Sequence, residues 1–409
     1  MEVNMKACGL IVEYNPFHNG HLYHVNESRK LSNADCIIAV MSGNFLQRGE
    51  PAIVDKWART KMALQNGVDL VIELPYPYAV QHSEIFAEGA IAILNSLHTD
   101  YVCFGSEHGN IDDFIQIEQW IQQNEESYSK KLKEYLRSGD AYPKAHEKAL
   151  SAVQKKDKDI DLSQPNNILG RQYVRQILNQ KASISPLTIQ RISNHYHDQK
   201  ISSPIASATS IRQAISQSGD WNASIQTTVP SVTEINMKEY FQETNSWHLW
   251  EKYFPYLLHR ILTSSMDELR VIHDVKEGLE NRIYQAAEEA TSFKSLMEKV
   301  KTKRYTWTSL QRIFTHILTN STKQEMQALR NKQPEIRILG MNQTGRNYLS
   351  FIKTKDEHLS FYTSSKPPYR YYELVRKVNH AYYSILSPEQ HKHRYQLEFR
   401  APILLMEKE

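Results

Sequence analysis

The feature that most constrains this chain is the alternation in its first half. Short apolar runs, ACGLIV (Ala7–Val12), CIIAVMSG, DLVIELP and YVCFGSE, are separated by segments of helical period: about Gly20 to Leu31, VDKWARTKMALQNG and SEIFAEGAIAILNSL. Strands spaced by helical stretches of about 10–15 residues predict βαβ units and a parallel sheet. Right-handed crossovers then give a doubly wound α/β domain, with its ligand crevice at the C-terminal strand ends. From about Ile111 to residue 160 the pattern is polar and helical, reading as an insertion closed by the charged loop KKDKDID. LTIQRIS (Leu187–Ser193) returns to the sheet, and IASATSIRQAI opens another helix. The proline-bearing, aperiodic TTVPSVT (Thr227–Thr233) marks a boundary, with an α/β domain expected over 5–230 and a mostly helical region over 234–409.

Composition narrows the setting. A chain of 409 residues is too long for one compact core, so two or three domains are expected. No apolar run approaches the roughly 20 residues that span a bilayer, and MEVNMKACGLIVEYNPF lacks a signal-peptide pattern because Glu13 interrupts its apolar stretch. Met1–Asn4 are given no role. Cys8, Cys36 and Cys103 are odd in number, lack CxxC spacing and sit in strand-like runs, which predicts buried thiols in a reducing cytoplasm and no metal centre. The charge is uneven: between Lys294 and Arg400, 20 Lys and Arg stand against 8 Asp and Glu, although the whole chain nets only +3. That asymmetry predicts a polyanionic partner for the C-terminal third alone.

EYNPFHNGHLYH carries the most chemistry per residue. A strand ends at Asn15-Pro16 and a helix begins at His18, Asn19, Gly20 and His21. Unpaired N–H groups and the helix dipole make such a start attractive to phosphate. Gly20 permits close approach, and His18 and His21 can donate to the charge that develops when an α-phosphate is attacked; taken alone, the string also reads as a plain helix start with two surface histidines. In SATSIR, Ser207, Thr209 and Ser210 open a second helix with Arg212 in its first turn: N-caps on a bland reading, a grip for β- and γ-phosphates on a chemical one. The loop after the second strand gathers Asn44, Gln47, Arg48, Asp55, Lys56 and Arg59, either as a solvated face or to position a small anion. Gly105 ends a later strand where backbone passes near adenine or ribose, and Asn166 and Asn167 precede a helix, as caps or as partners of the base. No P-loop and no GxGxxG follows a strand.

HNGH and SATSIR together resemble the HxGH nucleotidyltransferase superfamily, whose second signature reads approximately ISSTxIR; Ala206 and Ala208 depart from it, while Thr209, Ile211 and Arg212 keep their places. A closer resemblance spans nearly the whole chain. VEYNPFHNGHLYH, SGNFLQRGEPA, ELPYPYAVQHSEIFAEGA, CFGSE, PNNILG, TKRYTWTSLQRIF and LGMNQTGRNYL are similar to bacterial tRNA(Met) cytidine acetate ligases. The resemblance implies a nucleotidyltransferase domain followed by a helical RNA-binding region. It implies ATP-dependent activation of acetate to acetyl-adenylate, then acetyl transfer to the wobble cytidine of elongator tRNA(Met). ATP contacts carried over from it fall on Ile11, Val12, Glu13, Tyr14, Asn15, Pro16, Phe17, His18, Asn19, Gly20, His21, Leu22, Tyr23 and His24, with Gly105, Asn166, Arg191 and Ile192. Ser207 is added from the second helix. The catalytic candidates are His18, His21, Thr209 and Arg212, with Asp55 and Lys56 from the loop.

Acetate is already an anion at neutral pH, so the first step needs no base, only two anions held together and charge stabilised at phosphorus. The amine of the second step loses a proton to a base or to water; the sequence does not name the acceptor, and Asp55 is one guess. A Mg2+ on the phosphates is usual in ATP chemistry, although no carboxylate cluster marks a protein site for one. In the basic third, KVKTKRYTW, KPPYRYYELVRK and HKHRYQLEFR interleave cations with aromatics. Lys301, Lys303, Arg304, Arg370, Arg376 and Lys377 are expected to contact tRNA phosphates, and the aromatics to stack on unpaired bases. A small-molecule adenylyltransferase shares the two motifs but gives no reason for the basic third; a non-catalytic tRNA-binding protein is the other alternative. No protein partner and no membrane are expected.

Overall fold

The computed structural model describes residues 4–138, 140, 142–153, 160–161, 164–191, 207–218, 221 and 223–406. Ala7–Val12 (β1), Cys36–Ser42 (β2), Leu70–Leu74 (β3), Tyr101–Ser106 (β4) and Ser185–Gln190 (β5) pair in parallel in the spatial order β5-β4-β1-β2-β3. The alternation read from the sequence is therefore this sheet. Its central strands read as continuous apolar runs because both faces are covered. Ile38 and Val40 of β2 pack with Phe86 and Ile91 of helix Ser83–Ser96 and with Tyr173 and Ile177 of helix Pro165–Asn179. The intervening Ile37, Ala39 and Met41 face the other way, onto Val25 of Asn19–Ser32 (α1) and Met62 and Leu64 of Lys56–Gln65 (α2). β1 leads to β2 on one side and pairs with β4 on the other, so the winding reverses between β1 and β4; that reversal opens a crevice at the strand ends.

The sheet does not stop with the first half. Ile336–Met341 (β6) pairs antiparallel with β3, aligning Leu70 with Met341 and Ile72 with Ile338. Phe361–Tyr362 (β7) and Ile403–Leu404 (β8) then pair in parallel with β6, giving eight strands among the described residues. The region read as mostly helical thus supplies three strands to a mixed sheet. Thr227–Thr233 is packed: Thr228 is fully buried, its carbonyl accepts from Asn19 N at 3.0 Å, and helix Ser231–Thr244 begins inside the segment. The insertion consists of helices Ile111–Gln123, Glu125–Arg137 and Tyr142–Val153; most of the charged loop after it lies outside the described residues. C-terminal helices, among them Trp250–Leu262, Trp307–Leu318 and Tyr372–Tyr383, enclose a second core into which Phe45, Tyr76 and Val80 of the first half insert. The three cysteines are free and buried, and burial pushes the Cys8 thiol up to about 12. Among the described residues no helix is long and apolar enough to cross a membrane.

Four buried charges join the halves. Lys56 Nζ lies 2.7 Å from Glu73 and 2.8 Å from Glu398, and Arg337 Nη1 lies 2.8 Å from Glu73 and 2.9 Å from Glu398. Trp57 Nε1 donates to Glu398 at 3.1 Å. Burial alone would raise the Glu398 pKa; Lys56 and Arg337 outweigh it and hold the carboxyl below its usual range. Two positive and two negative groups cancel without water, and that balance fails if one is removed. Arg337→Met should therefore cost about 3–5 kcal/mol in urea unfolding; a loss below about 1 kcal/mol, the size of an exposed pair, would show that the network is hydrated.

Candidate active site

At the start of α1 two histidines cap the helix for each other. His18 is the N-cap: its Nδ1 accepts from Gly20 N at 3.0 Å, while its own backbone N–H donates to Nδ1 of His21 at 3.3 Å. Both Nδ1 lone pairs are thereby used, so each neutral ring carries its proton on Nε2. The rings are stacked, with centroids 3.7 Å apart. Burial first, then Arg191 and Arg212, pushes the His18 pKa down to about 3. Burial, with His18 and Arg191 adding to it, holds His21 well below 6.5. The helix start therefore offers backbone N–H groups and two neutral imidazole donors.

These groups line a cavity of about 250 Å³ at the β1/β4 switch point. The end of β1 gives Ile11, Val12 and Glu13; α1 gives His18, Gly20, His21, Tyr23 and His24; the loop after β2 gives Gln47 and Arg48. The ends of β4 and β5 add Phe104, Gly105, Ile189, Gln190 and Arg191; helix Pro165–Asn179 adds Asn166, Leu169 and Tyr173, and Ser207 closes the rim. Glu13 is held by Gln47 N, which donates to its Oε1 at 2.8 Å. A side chain at Gly105 would bring Cβ to 3.3 Å from Arg191 Cγ, so glycine keeps that wall open. Asn166 donates to Glu107, whose other oxygen accepts from Asn167 N at 2.9 Å, tying the β4 loop to the helix.

The two signature stretches converge. Arg212 donates to the Asn15 carbonyl at 3.0 Å and to Glu50 at 2.8 Å, and Ser207 Oγ accepts from Ser210 N at 3.1 Å as an N-cap. Other expected contacts are distributed differently. Tyr14, Asn15, Pro16 and Phe17 are buried beneath the cavity floor. Asn19 is turned toward Thr227 and Thr228, and Leu22 packs into the core. Thr209 is exposed and off the cavity wall; Ile192 lies outside the described residues. Asp55 and Lys56 do not face the cavity, contrary to the expectation for the loop. Asp55 caps α2, accepts from Tyr383 at 3.1 Å and pairs with Arg394 at 2.7 Å, whereas Lys56 is in the four-charge network. A carboxylate so enclosed has no path to a substrate amine. Arg59 is also a framework group, donating to the carbonyls of Glu13 at 2.7 Å and Ser42 at 3.0 Å. Phe86, Phe104, Leu169, Tyr173, Ile189 and Gln190 were not anticipated, although Phe104 and Gln190 immediately precede the recognised Gly105 and Arg191.

A family model described as HIGH Nucleotidyl Transferase matches residues 5–398. A protein of Anoxybacillus flavithermus called tRNA(Met) cytidine acetate ligase is 48% identical over 98% of this chain and 100% of its own. One of that name from Bacillus subtilis is 48% identical over 85% of this chain and 84% of its own. The chain belongs to this ligase family. The crystal structure of Thermotoga maritima TmcAL bound with alpha-thio ATP superposes with a TM-score of 0.87 at 31% identity, covering 98% of this chain and 100% of that one.

In this ligase-family chain the basic residues form two separate groups. Lys303 and Arg304 are exposed just ahead of helix Trp307–Leu318, and Lys301 donates to the Thr302 carbonyl at 2.7 Å. Near the other end of that helix, about 18 Å away for 12 residues, Lys377 donates to the Asn320 carbonyl at 3.0 Å and pairs with Glu325 at 2.7 Å. Arg376 pairs with Glu373, and Arg370 donates to the Gln333 carbonyl. Tyr369 and Tyr371 are buried, so these rings pack the protein rather than meet a base, while Trp307 is 46% exposed.

The depressed histidines make a pH prediction. Burial, chiefly, pushes His24 down to about 4, as it does His18 to about 3, whereas both titrate near 6.5 when unfolded. Between about 4 and 6.5 the unfolded chain thus binds more protons, and stability falls as the pH falls below 6.5, by about 1.4 kcal/mol per pH unit for each histidine. Urea midpoints should be level above pH 7 and decline steadily towards pH 5, with a shallower decline in His24→Gln. Level midpoints throughout would contradict the burial of these rings.

Proposed function

We propose that this chain activates acetate with ATP and transfers the acetyl group to N4 of the wobble cytidine of elongator tRNA(Met), forming N4-acetylcytidine. The observation that carries this is the switch-point cavity with its paired imidazole donors, in a chain 48% identical over 98% of its length to a tRNA(Met) cytidine acetate ligase. A carboxylate oxygen of acetate attacks the α-phosphorus of ATP and pyrophosphate leaves, giving acetyl-adenylate. The cytidine amine then attacks the acetyl carbon, the bond to the adenylate oxygen breaks, AMP leaves and the amine proton passes to water. The α1 N–H groups and Nε2–H of His18 and His21 receive the charge that builds at phosphorus; neutral donors serve because burial keeps both rings unprotonated.

Arg48 and Arg191 attract the outer phosphates and acetate, and Ser207 donates at the rim. Gly105 and Asn166 border the nucleoside. Arg212, through Asn15 and Glu50, positions the loop that carries His18. Among the described lining residues Glu13 is the one carboxylate, and Gln47 already donates to it, so a Mg2+ carried by ATP takes its ligands mainly from phosphate and water. The exposed Lys303 and Arg304 and the ring of Trp307 are placed to meet RNA.

Labelled acetate, ATP and total tRNA should yield label in tRNA, recovered as N4-acetylcytidine. ATP–pyrophosphate exchange independent of acetate would instead identify an adenylyltransferase, and tRNA binding without turnover a scaffold. His21→Ala should lower acetyl-adenylate formation about 10²–10³-fold, the usual loss for one donor to a developing anion, while tRNA affinity is kept; unchanged turnover refutes the role. Lys303→Ala with Arg304→Ala should reduce the dependence of log K on log salt by about 2, roughly one for each phosphate contact. An unaltered slope would put the RNA on another face.

A further inference from the structure

Behind the loop that supplies Gln47 lies a second polar cluster that the chemistry above does not use. His273 and Asp274 sit in a turn before helix Leu279–Glu289, and His316 projects from helix Trp307–Leu318. One donor atom from each of the three lies within 4.8 Å of the others. One arrangement of the hydrogen bonds around His316 leaves its Nε2 unprotonated. Thr319 Oγ1 lies 2.8 Å from the Thr315 carbonyl, to which it donates its one proton, so it must accept from Tyr76 Oη at 2.9 Å. Tyr76 has then spent its own proton and must accept from His316 Nδ1, also at 2.9 Å. Nε2 of His316 is left with a bare lone pair, fully buried and without a hydrogen-bond partner among the described residues. Nε2 of His273 lies 2.9 Å from Gln81 Nε2, an amide nitrogen that donates as placed; ligation through the buried, unpartnered Nδ1 requires the Gln81 amide turned so that its oxygen accepts from Nε2–H.

We propose that His273, Asp274 and His316 bind one divalent transition metal of the zinc class. Two imidazoles and a carboxylate are a usual donor set for such an ion, and bonds of about 2.0–2.2 Å would draw the three donors slightly closer. The Tyr76 hydroxyl is placed as the outer hydrogen bond that holds a ligating His316, and the Gln81 amide, with its oxygen turned to Nε2, would do the same for His273. The side chain of Asp274 is 32% exposed and that of His273 12%, leaving an approach and room for water as a further ligand. Arg312 and His82 also face Asp274, so the site offers an arriving cation little net negative charge. That disfavours Mg2+ and Ca2+, which depend on several oxygen ligands, and favours a metal that imidazole holds strongly. The three ligands and their supports come from the segment after β3, the 273–274 turn and helix Trp307–Leu318. Gln47 Nε2 donates to the Gln81 carbonyl at 2.7 Å, so the ion would fasten the helical region behind a cavity-lining residue. This inference does not depend on the proposed reaction.

The test is metal binding by the full chain, stripped with chelator and titrated with Zn2+ against a chromophoric chelator. One tight equivalent is expected in the parent. Asp274→Asn and His273→Gln, both at partly exposed positions, should each weaken it at least tenfold, and Zn2+ should raise the melting temperature of the parent but not of Asp274→Asn. His380 and His391, with ring nitrogens 2.9 Å apart at the surface, are the competing donors, and His391→Gln should leave the tight equivalent intact. Absence of a tight equivalent in the parent, its persistence in both Asp274→Asn and His273→Gln, or its loss in His391→Gln would each overturn the proposal.

Discussion

The architecture depends on a charge balance held out of water. Lys56 and Glu73 come from the first half of the sequence, Arg337 and Glu398 from the last quarter, and none is satisfied without the others. Isolated, each would carry several kcal/mol of desolvation penalty. Together they require β3, α2, β6 and the segment around Glu398 to meet in one arrangement. The antiparallel β6 is thereby secured beside β3, whose edge would be open without it. Gly43 belongs to the same constraint, since a Cβ there would stand 2.8 Å from Glu73 Oε1.

The rigidity passes to the cavity through backbone contacts. Arg59, wholly buried, holds the carbonyls that end β1 and β2, and the loop from β1 into α1 is gripped again by Arg212. His18 and His21 are consequently presented by a segment with little freedom to move. Preorganised donors of this kind need no reorientation when charge appears. The same burial that removes their positive charge fixes their direction, because each ring has one nitrogen committed to capping the helix.

The parallel core was legible because strands covered on both faces must be apolar at nearly every position, and β1 to β4 are. β6 was not, although IRILGM is a similar run: Arg337 interrupts it, and an arginine in a buried strand makes sense only once Glu73 and Glu398 are seen beside it. Local residues of the site were legible for the same reason as the strands. Glycine and histidine at a strand-to-helix junction also suit an ordinary helix start, and it was their pairing with SATSIR that pointed to anion binding. Asp55 and Lys56 were misleading because a polar pair in a crevice loop looks alike whether it faces ligand or a buried counter-ion. Partners such as Arg394 and Glu398 lie too far along the chain for spacing to reveal them. In the basic third, charge excess identified a surface, but only burial separates Trp307 from Tyr369 and Tyr371.

Helix Trp307–Leu318 leans on the loop after β2 with no clearance. A methyl group at Gly49 would sit 2.3 Å from Arg312 N, and Thr315 Oγ1 donates to the Gly49 carbonyl at 2.7 Å. The helix begins beside Lys303 and Arg304, whereas Gln47 and Arg48, next to Gly49, form part of the cavity wall. It is therefore a lever with one arm at the cationic surface and its fulcrum against the wall. With so little clearance, a tilt too small to disturb the sheet would shift Gln47 and Arg48, so the width of the cavity is set partly from the far side of its wall.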